Sequence, residues 1–174
     1  MTKTFLLLAL VCVLVLLAAC GSKPAPTEPA PTEPTSSRDL QTLYQSGITA
    51  MGADAPVLFP VSDISELSPL FPGLEEISFR QVSGGLSPVT GAPDEVVLLE
   101  VENSADVQKV VDILQKAVDI LQKAVDEGAV ESEGTDEAIT AAWKDNASIT
   151  TDGNYICLAV FMNGVSIPAE FMLP

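Results

Sequence analysis

The chain has no histidine, and its 174 residues hold 8 Lys+Arg against 24 Asp+Glu, with 3 Cys and 5% aromatics. Each shortage excludes something. Without imidazole, Ser–His–Asp and Cys–His catalysis within the chain is excluded, as is any His-bearing metal site. The net charge of −16 excludes a nucleic-acid partner, because phosphate is held by clustered Lys and Arg that displace counterions. Electrostatic adsorption to anionic lipid is disfavoured for the same reason. No Ser-x-x-Lys, G-x-S-x-G, G-x-G-x-x-G or G-x-x-x-x-G-K-[ST] spacing occurs, so the common nucleophile and phosphate-cradle motifs are missing too.

What is present begins with an address. Residues 1–20 read MTKTFLLLALVCVLVLLAAC: one early lysine, an apolar run from Phe5 to Ala19, then Leu17-Ala18-Ala19-Cys20. About 15 apolar residues are short for a bilayer span, which needs about 20, and fit a secretory h-region. Small residues before a cysteine match the lipobox of bacterial lipoproteins. Residues 1–19 are therefore read as a signal peptide cut between Ala19 and Cys20, with Cys20 acylated. Two or more acyl chains suffice for a stable membrane anchor.

Residues 20–37 are read as the lipidated cysteine and a tether. PAPTE occurs twice from Pro24 to Glu33, and 21–37 hold five prolines and no large apolar residue. Such a segment cannot bury a core and extends at about 3.1 Å per residue, holding residue 38 up to roughly 50 Å from the bilayer. Cys12 leaves with the signal and Cys20 is acylated, so Cys157 is the one thiol of residues 38–174. No intramolecular disulfide is then expected, and its place in the apolar run 155–162 predicts a packing role.

Residues 38–174 carry 6 basic and 22 acidic residues and are read as a single acidic α+β domain. Leu40, Leu43, Tyr44, Ile48 and Met51 recur at helical spacing behind Asp39, a natural cap. A short helix is expected after Ser62 or Asp63. Strands are expected at 76–82, 95–102, 147–151 and 154–162, with Gly84-Gly85 in a loop and Asp152-Gly153 at a tight hairpin. Numbered in chain order, the four make an antiparallel sheet of order 1-2-4-3, its weaker first and third strands at the edges. Between the second and third lies a long helix opened by Asn103-Ser104, in which VDILQKA is repeated without change at 111–117 and 118–124. In each copy Val, Ile, Leu and Ala fall on one arc, a stripe suited to packing across one face of a sheet. Seven residues advance a helix by nearly two full turns, so the duplication lengthens it without rotating that face. Asp112 with Lys116, and Asp119 with Lys123, stand at i,i+4 in the favourable order. A shorter helix after Thr135 is expected to carry Trp143 as a core anchor.

With these elements placed, the chain resembles the bacterial lipoproteins of domain-of-unknown-function family 4358 over about residues 38–162. The likeness rests on Phe71-Pro72-Gly73-Leu74, Ala92-Pro93-Asp94-Glu95, Val101-Glu102-Asn103-Ser104-Ala105-Asp106-Val107, Trp143-Lys144-Asp145-Asn146-Ala147 and Asp152-Gly153-Asn154-Tyr155. It departs from the family in the heptad duplication and in the end GVSIPAEFMLP, read as a shortened or altered terminal helix. The resemblance implies an extracytoplasmic, membrane-tethered domain and carries no catalytic residues.

Carboxylates are the remaining chemistry. Glu100 and Glu102 lie two apart on a strand and so share a face, the minimum a glycosidase requires. The same spacing describes two solvated side chains, which is the reading adopted. Asp126, Glu127, Glu131, Glu133 and Asp136, with Glu137, offer hard oxygens for Ca²⁺, although their spacing is not that of an EF-hand. No cofactor or catalytic residue is expected. The expected function is a non-catalytic binding or accessory module of the bacterial envelope, held on the extracytoplasmic face of the cell membrane through Cys20, with an envelope protein as partner. The alternative is a lipoprotein that captures a small ligand or Ca²⁺ for a membrane partner; a carboxylate-based glycan enzyme stands third.

Overall fold

Leu40, Leu43, Tyr44, Gly47, Ile48 and Met51 line one face of helix α1 (Leu40–Met51), whose N-cap Asp39 accepts a hydrogen bond from the Thr42 amide at 3.0 Å. The computed structural model describes residues 38–89, 91–127, 139, 141–162 and 165–171. The signal, Ala19, Cys20 and the tether lie outside the described residues. Among those described, no helix is long and apolar enough to cross a membrane.

After α1 come strand β1 (Phe59–Val61), helix α2 (Ile64–Leu67), strands β2 (Phe79–Leu86) and β3 (Glu95–Val101), helix α3 (Val107–Asp126) and strands β4 (Ser148–Asp152) and β5 (Tyr155–Val160). All five strands pair antiparallel in the order β1-β2-β3-β5-β4. The α+β expectation holds, with a sheet of five strands instead of four. The added strand is β1, three residues long and centred on Pro60, a length and a residue suited to an edge. It pairs with Leu86, Gly85 and Gly84, so β2 is an interior strand and not the edge expected of 76–82.

Gly84 and Gly85 belong to β2 and not to a loop. A side chain at Gly84 would strike the backbone of Val96, and one at Gly85 would strike Tyr44 and Leu58. Glycine here serves close approach of neighbouring elements, not a turn. The β4–β5 hairpin does turn on glycine: Asp152 pairs with Tyr155, leaving Gly153-Asn154 as the loop. A φ of 57° at Gly153, with Asn154 in the ordinary range, is the type II′ pattern.

The sheet is covered on both faces. Val97, Leu99, Val101, Ile156, Leu158 and Val160 point to α3, packing with Val110, Leu114, Val118, Phe71 and Trp143. On the other face, Val96, Leu98, Cys157 and Ala159 pack with Leu40, Phe161 and Phe171. With both faces buried, β3 and β5 read as continuous apolar runs. The segment 165–171 is not helical; it delivers Phe171, whose ring occupies the space beside Gly47 where a side chain would stand.

Helix α3 is entered through a 3-10 turn, Ser104–Asp106, capped by Asn103. Its expected Asp–Lys pairs do not form as ion pairs. Gln108 donates to Asp112 at 2.9 Å and Gln115 to Asp119 at 2.8 Å. An amide one turn earlier reaches each aspartate from the N-terminal side. Lys109 turns back to Asp106 at 2.6 Å, and Lys123 reaches Glu127 at 3.8 Å.

Candidate functional site

Every residue of β3 is buried, including two glutamates at 6% (Glu95) and 1% (Glu100) exposure. An odd number of steps along the strand separates them, which sends them to opposite faces, Glu95 toward α3 and Glu100 toward α1. A buried carboxyl needs a stated partner or a stated reason, and the two differ in this.

Glu100 has partners. A bulge between Phe79 and Gln81 sets consecutive donors of β2 against it: Gln81 Nε2 donates to Oε2 at 2.7 Å and Arg80 Nη1 approaches Oε1 at 3.5 Å. Gln81 also takes the Leu40 amide at 3.0 Å and donates to the Arg38 carbonyl at 2.7 Å. Arg38 donates its amide to the Tyr155 hydroxyl at 2.7 Å and pairs with Asp152 at 2.7 Å. The cluster hooks the first turn of α1 onto the sheet, directly after the expected tether. It corrects the reading of Glu100 as solvated: α1 closes that face, and β2 supplies the hydrogen bonds that make burial tolerable. Glu102 lies past the end of β3, exposed, its carbonyl receiving Arg80 Nη2 at 3.3 Å. The two carboxylates therefore do not flank a cleft.

Glu95 stands apart. It opens onto a cavity of about 220 Å³ whose other walls are Leu70, Phe71, Pro72 and Gly91 from loops, and Ile113, Lys116, Ala117, Ile120 and Leu121 from α3. Among the described residues, no side chain donates a hydrogen bond to its carboxyl or pairs with it. Burial pushes its pKa up from 4.5 to about 7, so near neutral pH it is divided between acid and carboxylate. Its aim is set locally. Asp94 takes a φ of 84°, a conformation Asp tolerates better than most residues, and its Oδ1 accepts the Met162 amide at 3.0 Å. Across the ladder Glu95 faces Val160.

The cavity wall is fixed from behind by Trp143, fully buried in a wide helical turn, Ala142–Asn146. Its indole N–H donates to the Gly91 carbonyl at 3.1 Å, and its own carbonyl accepts Gln122 Nε2 at 2.8 Å. Three segments singled out in the sequence thus meet here: Phe71-Pro72, the Ala92–Glu95 run with its neighbour Gly91, and Trp143. Both copies of VDILQKA contribute, Ile113, Lys116 and Ala117 from the first, Ile120 and Leu121 from the second.

Sequence reasoning passed over Glu95. The signal was an acid opening a strand that is apolar on both faces. Of the acidic group considered for Ca²⁺, Asp126 closes α3 and Glu127 is exposed beside Lys123. Glu131, Glu133 and Asp136 lie outside the described residues, and among those described no three acidic or Cys side chains gather as for a metal. Cys157 is a buried free thiol, pushed up to about 12 by burial, and is inert as a nucleophile at neutral pH.

Comparison with protein-family models, curated proteins and solved structures finds no match.

Proposed function

We propose that the chain is a lipoprotein anchored through Cys20 on the extracytoplasmic face of a bacterial membrane, akin to family 4358, and that its domain is a non-catalytic binding module. The observation that carries the binding role is the cavity at Glu95: apolar walls, one carboxyl that no described residue partners and an open mouth are the features of a small-ligand site. The separation of Glu100 from Glu102 and the hydrogen bonds that occupy Glu100 favour binding over glycan hydrolysis. Lipobox and tether supply the address.

The anchoring part is tested by growing cells with a palmitate analogue. The chain is expected to be labelled and to pellet with membranes, and Cys20→Ser to abolish the label and release the protein. A Cys20→Ser variant that still labels would remove the anchor from the account.

A second reading, an accessory module docking on an envelope protein, is favoured by the β1 edge. There Val57 is 81% and Phe59 61% exposed, apolar side chains that a docking partner would cover. Crosslinking from the native membrane discriminates: a single recurrent partner, lost on Phe59→Asp, supports it, and recovery of no specific partner speaks against it.

A further inference from the structure

We propose that the Glu95 cavity takes an organic primary amine, an aliphatic or aromatic body of about ten non-hydrogen atoms whose ammonium is held by Glu95. The assignment rests on the binding reading above and names its ligand. Size comes first. A cavity of about 150 Å³ lined by apolar side chains holds benzene, so 220 Å³ admits a ring with a short chain. Seven of the lining residues, Leu70, Phe71, Pro72, Ile113, Ala117, Ile120 and Leu121, offer hydrocarbon to that body.

Charge comes second. A buried carboxyl that no described side chain partners leaves its lone pairs for the ligand. An ammonium brings three N–H donors and the opposite charge, the strongest complement available to it. An anionic ligand would place like charge against Glu95 at short range. The field of the molecule acts in the same direction, since a net charge of −16 concentrates cations at the surface and speeds their arrival. Lys116, exposed on α3, is the one basic side chain among the described residues of the lining. It makes no ion pair with Glu95 among the described residues and can keep its ammonium in water while its stem walls the cavity. The loop 70–72 and Gly91 present no charge to Glu95, and β5 presents Val160.

The test uses the full chain in nanodiscs of neutral lipid, with empty nanodiscs subtracted, and three probes of one shape: 2-phenylethylamine, 2-phenylethanol and phenylacetate. By isothermal titration at pH 7.5, the amine is expected to bind at least about tenfold more tightly than the alcohol, the gain of one charge-assisted pair. Phenylacetate is expected to bind most weakly. Glu95→Gln should cancel the amine's advantage over the alcohol, and alcohol binding retained by the variant shows that its cavity is intact. A second readout does not depend on any variant: at pH 6, amine binding should expel a proton from Glu95, seen as a buffer-dependent heat that the alcohol lacks. Equal affinities for amine and alcohol, or tighter binding of phenylacetate, would overturn the amine assignment while leaving a ligand cavity. Binding of none of the three would overturn both.

Discussion

Glu95 and Glu100 share a strand and a burial class, yet their surroundings give them opposite roles. Hydrogen bonds from Gln81 and Arg80 make Glu100 a fastening of α1, whereas Glu95 is left for a ligand or for its own proton. Its folded-state pKa of about 7 against a usual 4.5 has a definite sign. The folded protein holds this proton more tightly than the unfolded chain, so stability is full below pH 4.5 and falls as pH rises through 7. The difference between the two values corresponds to on the order of 3 kcal/mol once both states are ionised. Glu95→Gln should therefore melt above the wild type at pH 8, with the gap closing by pH 5; parallel melting curves across that range would deny the buried carboxyl its cost. Gly47 gives a second test of sign. Glycine to alanine inside a helix ordinarily stabilises by about 1 kcal/mol, but Phe171 fills the space a methyl would take. Gly47→Ala should instead destabilise by about 1–3 kcal/mol in urea unfolding.

At the scale of elements, the heptad duplication is the feature most directly connected to the cavity. The first copy of VDILQKA seats α3 on the sheet through Leu114 and Ala117; the second adds Val118 to that seat, which Val125 would replace on deletion, and carries the helix onward, where Ile120 is 57% exposed and walls the cavity with Leu121. Deleting 118–124 would keep the buried face in register but set Glu127 at the place of Ile120 and Gly128 at that of Leu121. Cooperative thermal unfolding should survive, while 2-phenylethanol binding should be lost; retained binding would place the ligand elsewhere. Helices were legible from the sequence because their stripes repeat over many residues: α1 behind Asp39, and α3 over two identical copies. The β5 run and the Asp152-Gly153 turn were legible for the same reason, pattern plus a turn residue. Strand β1 was not, since three residues including Pro60 carry no period. Gly84-Gly85 misled because glycine marks close packing as often as a turn, and only the neighbours Val96, Tyr44 and Leu58 decide between them. The site was illegible for a related reason. Glu95 meets Leu70, Phe71 and α3 only after the chain has crossed the sheet, and local spacing holds no trace of that meeting.

At the scale of the whole molecule, the described residues of 38–171 form three layers, helix on sheet on helix; an acylated Cys20 and a proline-rich spacer before them, and an amine in the Glu95 cavity, are proposed. Acidity belongs to the domain, with 22 acidic residues against 6 basic from Arg38 onward. That charge opposes contact with anionic headgroups. Native mass spectrometry of the protein drawn from its own membrane tests the central claim most directly. The account predicts a chain beginning at acylated Cys20 that carries one small basic adduct, released on gentle activation and missing from an Ile120→Trp variant with its cavity mouth filled. A chain without acyl mass, or an adduct held equally by the filled variant, would contradict it.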